Sequence, residues 1–140
     1  MTRPDICYAV HVLNQFMHCP KISHMDALVR VVKYIKGAPG QGLLMSSNQS
    51  TKLTAFCDAD RASCPVSRRS VTGYVIKLGH SLVSWKLKKQ CTVSRSSAEA
   101  EYRSMAAGVS KIMRQTGLCR ELGAEVDLPV DLNCDSKAAI

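Results

Sequence analysis

The hydrophobic period changes once along this chain, and that change limits what it can fold into. Up to about residue 45 the apolar residues recur at helical spacing. Ile6, Val10, Leu13 and Met17 make one stripe, and Met25, Leu28, Val32 and Ile35 a second. From residue 51 onward short alternating runs take over. The polar stretch Ser46 to Ser50 separates the two regimes and marks the best boundary in the chain. The expected organisation is a helical hairpin over 1–45 and a separate domain over 51–140.

Within the hairpin, Pro4 and Asp5 suit a first helical turn, and Pro20 is expected to stop the first helix. Ser23 with Asp26 resembles a capping box for the second, which Gly37, Pro39 and Gly40 end. The apolar faces of such a hairpin need something to pack on.

In the second region, Leu53, Ala55 and Cys57 alternate in a strand that stops at Asp58. Thr72–Leu78 and Ser81–Lys86 read as two strands joined by a tight turn at Gly79-His80. Ser96 and Glu99 form a capping box for a long helix with a stripe of Ala98, Tyr102, Met105, Val109 and Ile112. Gly117 predicts a break near 116–117, since an interior glycine costs about 1 kcal/mol relative to alanine. Gly123 is the natural C-cap. Val130–Cys134 reads as a last strand, after which Ser136 would cap a new helix. Strands mixed with helices in this order predict an α/β fold.

Nothing in the composition suggests disorder: 46% of residues are hydrophobic and 21% charged. Seven cysteines without a Cys-x-x-Cys pair argue against a zinc ribbon or a disulfide framework. There is no signal-peptide core, and no run approaches the roughly 18 apolar residues of a membrane span. The expectation is an intracellular, reducing setting, with most cysteines as small core residues. His11, His18, His24 and His80 show no ligand spacing.

Asp58 and Asp135 each close a predicted strand. If those strands are adjacent and parallel, both side chains emerge at one edge, where ligands of such sheets gather. An acid from the long helix would complete a cluster. Carboxylates held that close repel unless a cation neutralises them, and oxygen-ligated Mg²⁺ suits such a set. The alternative is that each Asp is only a turn or cap residue. Glu99 and Glu101 lie at opposite edges of the apolar stripe, so geometry does not choose between them. Glu99 already has a capping task, which leans toward Glu101.

The net charge of +8 comes from 19 Lys+Arg against 11 Asp+Glu. Arg68 and Arg69, with Lys86, Lys88 and Lys89, bracket the strand hairpin. They suit a phosphate backbone, although a solvated basic face would look the same. Trp85 reads as core, not as a platform for bases.

The strings TRPDICYAVHVLNQFMHCP, YIKGAPGQGL, FCDADRASCPVSRRSVTGYVIKLG, LVSWKLKKQCTVSRSSAEAEYRSMAAG and LNCDSKAAI, taken in order, resemble the C-terminal part of copia-type retrotransposon Pol polyproteins. The resemblance implies that residues 1–45 are the end of a reverse transcriptase (thumb and connection). Residues 51–140 would be a ribonuclease H-like domain, a mixed sheet with flanking helices. It implies hydrolysis of the RNA strand of an RNA–DNA hybrid with two Mg²⁺ ions held by Asp58, Glu101 and Asp135. It is also the resemblance that decides for Glu101. Arg61 stands where the family usually has Trp, and Met113, Thr116 and Gly117 depart from its pattern in the long helix. The family's domain continues past Ile140, so a truncated domain is expected. The alternative is an inactive remnant that at most binds nucleic acid.

Overall fold

The computed structural model describes residues 3–47 and 50–136. The chain divides into two compact units at Leu43/Leu44.

The first unit is a helical hairpin. A single 3-10 turn, Pro4–Ile6, leads into α1, Cys7–Asn14, and α2 spans Ile22–Gly37. α1 ends well before Pro20. The Gln15 and Phe16 N–H groups donate to Val12 and Leu13 carbonyls at 3.2 and 3.0 Å, tightening the chain into turns over 15–18. The Ser23/Asp26 box does not form either. Lys21 is extended and is the N-cap, so Ser23 already lies inside α2. The Lys21 N–H donates instead to His24 Nδ1 at 3.1 Å, and the His24 ring stacks on Phe16 at 4.1 Å. Arg3 closes the hairpin, pairing with Asp5 at 2.8 Å and donating to the Ala38 carbonyl at 3.1 Å. Met25, Leu28 and Val32 of the second stripe stay exposed.

The second unit is α/β, a mixed four-stranded sheet in the order β3-β2-β1-β4. Its strands are β1, Lys52–Asp60; β2, Val71–Leu78; β3, Ser81–Lys89; and β4, Asp127–Cys134. The β1–β2 and β2–β3 pairs are antiparallel, and β1–β4 is parallel. β1 runs two residues past Asp58, because Asp58, Ala59 and Asp60 still pair with Gly73, Thr72 and Val71. Gly79 turns β2 into β3 with φ +55. A Cβ there would sit 2.7 Å from the Ser50 Cβ, so both the turn and the close approach require glycine.

α3, Ser97–Glu121, crosses one face of the sheet in 25 unbroken residues. The expected break at 116–117 does not occur. Gly117 faces open space, and one glycine's cost is small against a cooperative helix anchored along its length. Gly123 (φ +73) ends it, as the sequence predicts, with Gly123 and Ala124 N–H groups donating to Arg120 and Cys119 carbonyls. The buried face differs from the expected stripe. Ala100, Glu101, Ser104 and Gly108 are buried, whereas Tyr102 and Val109 are exposed. Small residues at four-residue spacing let the helix backbone sit close to β1. A Cβ on Gly108 would lie 3.5 Å from Leu132 Cδ1 and 3.8 Å from Cys57 Cβ.

Leu53, Ala55 and Ile76 form the fully buried centre. Tyr74, Leu78, Val83, Ile112, Val126, Val130 and Leu132 pack around it. Trp85 is only half-buried. The helix expected after Ser136 lies outside the described residues. Among the described residues no helix is long and apolar enough to cross a membrane.

Leu53 has no exposed surface, whereas Leu122 is 75% exposed. Leu53→Ala is expected to lower the unfolding free energy by about 2–5 kcal/mol, and Leu122→Ala by no more than about 0.5 kcal/mol. Urea unfolding of both variants checks this ranking.

Candidate metal centre and basic groove

Cys57 on β1 and Cys134 on β4 are register partners in the parallel pair. The next residue on each strand path is an acid, Asp58 and Asp135. The parallel pairing therefore delivers both to one edge of the sheet. α3 brings Glu101 to the same place from its second turn. Its start is held by a buried polar network. The Gln90 side-chain amide donates to Thr72 Oγ1 at 2.9 Å and to the Ala100 carbonyl at 3.0 Å, and Ser94 Oγ donates to Gln90 Oε1 at 2.8 Å. Ser104 Oγ donates to the Asp58 carbonyl at 2.7 Å, fixing helix to strand one turn beyond Glu101.

The two helix acids are separated by their partners. Glu99 accepts from the Arg95 N–H at 2.7 Å and pairs with Arg103 at 2.7 Å, while its own N–H donates to Ser96 Oγ at 3.0 Å. It is the capping acid. Glu101 is buried, only 7% exposed. Its Oε2 accepts from Cys134 Sγ at 3.6 Å. Glu101, Cys134 and Asp135 present ligand atoms that all lie within 4.8 Å of one another. Asp58 stands beside this group and not within it. Cys134 is the member the sequence reading missed, and its place before Asp135 at a strand end was the available signal.

Burial, more than anything else, raises the Glu101 carboxyl above its ordinary value, and the charges of Asp58 and Asp135 add to the rise. Asp58 is raised for the same first reason, then by Asp135 and Asp60. Burial also pushes the Cys57 thiol up to about 11, with Cys134, Glu101 and Asp58 contributing. Among the described residues, no Lys or Arg forms an ion pair with Asp58, Glu101 or Asp135. These are hard oxygen donors with one sulfur among them and no basic ion-pair partner among the described residues.

The basic residues separate into two groups. By register, Thr72 faces Lys88 and Tyr74 faces Lys86 across β2 and β3, on the side of the sheet that α3 covers. α3 leaves that margin open. The resulting groove, about 410 Å³, is lined by Tyr74, Lys86, Lys88 and Lys89 on the sheet and by Lys111 and Arg114 on α3. Arg68 and Arg69 do not line it. They lie on the loop before β2, where Arg68 takes a left-handed φ of +53. Lys89 also donates to Cys64 Sγ at 3.3 Å. Ser67 first, and Lys89 after it, hold that thiol down at about 6. Lys111 and Arg114 escaped the sequence reading because nothing local says which strand a helix side overhangs.

Over 138 residues, 99% of its length, the chain is 43% identical to the retrovirus-related Pol polyprotein from transposon RE1 of Arabidopsis thaliana. It is 42% identical, again over 138 residues, to the retrovirus-related Pol polyprotein from transposon RE2 of the same plant. The chain belongs to the copia-type retrotransposon Pol polyproteins. This Pol segment spans only 9% and 10% of those two relatives. A shorter relative, the secreted RxLR effector protein 161 of Plasmopara viticola, is 43% identical over 106 residues and is covered to 75% of its length. No family model and no solved structure matches the Pol segment.

A carboxyl raised by folding makes the native state bind more protons than the unfolded one. The unfolding free energy then falls as pH rises from the usual carboxylate range through the raised native value. Glu101→Gln keeps an acceptor for the thiol and removes the charge. Without divalent cations it is expected to unfold at higher urea concentration than the parent at about pH 8, with the gap closing toward about pH 4. A lower midpoint at the higher pH would contradict an uncompensated buried charge.

Proposed function

We propose that residues 51–140 are a ribonuclease H-type domain of a copia-type Pol polyprotein, hydrolysing the RNA strand of RNA–DNA hybrids. Residues 1–45 would be the end of its reverse transcriptase portion. The observation that carries this reading is the parallel β1–β4 pair, which sets Asp58 and Asp135 on one edge beside the buried carboxylate of Glu101. These oxygens fit Mg²⁺, a hard cation that takes carboxylates and water.

In this reading Asp58, Glu101 and Asp135 would hold two Mg²⁺ ions, which when bound would supply an activated water and charge stabilisation for the leaving oxygen. The rest falls to the chain's own residues. Ser104 holds the Asp58 end of β1 against α3, and the Gln90 network holds the first turns of α3, which keeps Glu101 near Asp135 and beside Asp58. The groove residues Lys86, Lys88, Lys111 and Arg114 take the phosphate backbone, with Lys89 at its margin. Arg68 and Arg69 add charge on the neighbouring loop. A hybrid is recognised by shape and by its 2′-hydroxyls, not by base sequence.

Incubating the 140-residue chain with a labelled RNA–DNA hybrid and Mg²⁺ is expected to yield RNA fragments bearing 3′-hydroxyl and 5′-phosphate ends. Asp58→Asn is expected to lower the rate by at least about 100-fold, more than loss of a residue that merely supports a metal ligand. A folded sample that binds the hybrid without cutting it would reduce the function to nucleic-acid binding.

Replacing both Lys111 and Arg114 by Ala is expected to weaken hybrid binding. It should also make the plot of log affinity against log salt shallower by about 0.9 for each duplex phosphate that is no longer neutralised. An unchanged slope would remove α3 from the interface.

A further inference from the structure

We propose that Cys64 and Lys89 are a covalent modification site, at which hydrogen peroxide joins the cysteine sulfur to the lysine nitrogen. The site shares no residue with the acidic edge and does not rest on the hydrolytic reading.

Lys89 is the last residue of β3, and its Nζ donates to Cys64 Sγ at 3.3 Å. Backbone bonds hold both groups in place. Lys89 pairs in register with Val71, and the Gln90 N–H donates to the Ser70 carbonyl at 2.8 Å. The loop that carries Cys64 closes on itself. The Cys64 N–H donates to the Arg69 carbonyl at 3.2 Å, the Arg68 N–H to the Cys64 carbonyl at 2.8 Å, and the Ala62 N–H to Ser70 Oγ at 3.2 Å. Reacting atoms fixed roughly 3–3.5 Å apart need no collision to meet, and their reaction becomes intramolecular.

The same surroundings make the sulfur a nucleophile. Ser67 first, through its side chain and backbone, and Lys89 and the Val66 backbone after it, hold the thiol down at about 6 against the opposing effect of burial. At neutral pH the sulfur is therefore mainly thiolate, the form that attacks a peroxide. In the first step the thiolate takes one peroxide oxygen and the O–O bond breaks. The departing hydroxide removes a proton from the Lys89 ammonium and leaves as water. What remains is a Cys64 sulfenic acid facing a neutral amine. In the second step the amine nitrogen attacks the sulfenic sulfur, the S–N bond forms, and the hydroxyl leaves with a nitrogen proton as a second water. Sulfur is oxidised by two electrons, and one peroxide is reduced to two waters. Excess thiol reverses the link: a thiolate attacks the sulfur, the nitrogen leaves protonated, and a second thiolate frees Cys64 from the mixed disulfide.

Lys89 stands at the margin of the basic groove. Joined to sulfur, its nitrogen is no longer a full cation, so the link subtracts one charge there and pins the loop to the end of β3. Cys64 is 5% exposed, which favours a small oxidant over a bulky one. Cys91 is the natural rival, because it is exposed and lines the same groove as Lys89 and Lys111. The two cysteines therefore make a discriminating pair of variants.

The test is to treat the reduced, dilute 140-residue chain with hydrogen peroxide, digest it without reductant and read the peptides by mass spectrometry. The expected result is a peptide pair joined through Cys64 and Lys89, lighter by two hydrogens than the two peptides together, that separates on addition of dithiothreitol. Cys64→Ser and Lys89→Arg should each abolish the pair, and in Lys89→Arg dimedone should capture the Cys64 sulfenic acid instead. Cys91→Ser should leave the pair in place. Lys89→Arg keeps the positive charge beside the sulfur, which keeps the proposal testable if Cys64→Ser fails to fold by circular dichroism. No joined pair from the folded parent, its loss in Cys91→Ser, or an equal yield from the urea-unfolded chain would each overturn the assignment. No RNA enters the experiment, so this reading and the hydrolytic one fail separately.

Discussion

The close seating of α3 on β1 is the contact on which the second unit depends. It is made with small residues: Ala100, Ser104 and Gly108 face the sheet, and the Ser104 hydroxyl reaches the Asp58 carbonyl at 2.7 Å and the Gly73 carbonyl at 3.2 Å. A side chain of leucine size at any of these positions would lift the helix. Glu101 would then rise away from Asp135 and Cys134. Apolar packing of Leu53, Ala55 and Ile76 supplies the burial, but hydroxyl and glycine contacts set the distance at which the helix rests.

The same helix carries two opposite electrostatic tasks. Its second turn offers a buried acid to the acidic edge of the sheet, and its middle offers Lys111 and Arg114 to a basic groove. Ten to thirteen residues separate them, about 15–20 Å along a helix axis. That is roughly five base-pair steps of a duplex. A rigid, unbroken α3 keeps the spacing constant. The break expected at Gly117 would have fallen beyond Arg114 and left this spacing intact; a kink between Glu101 and Lys111 is what would uncouple the groove from the acidic edge.

Much of this was legible in the residues, and the failures have physical reasons. Alternation at Leu53, Ala55 and Cys57 gave β1 and its buried face. Gly79-His80 gave the turn between β2 and β3, and the Ser96/Glu99 box with Gly123 gave both ends of α3. The condition set for Asp58 and Asp135, adjacent parallel strands, is met by β1 and β4, although β1 runs two residues past Asp58. What misled was size. Tyr102 and Val109 looked like core because they are large, whereas the helix is seated by residues too small to register as a hydrophobic stripe. The Ser23 cap failed because Lys21 and His24 satisfied the same orphan groups two residues earlier. Cys134 went unnoticed as a donor because a cysteine in a strand reads as packing until its partner across the fold is known.

The order in which the strands arrive has its own consequence. The Cys57 thiol reaches the Asn133 carbonyl across 76 residues of intervening chain. β1, β2 and β3 can pair as neighbours in sequence, but β4 closes the largest loop in the unit. Contacts of such long separation are slow to form because ring-closure entropy must be met before they stabilise anything. Completing the acidic edge therefore waits on the longest ring closure in the unit, whereas the β1–β2–β3 part needs only short ones.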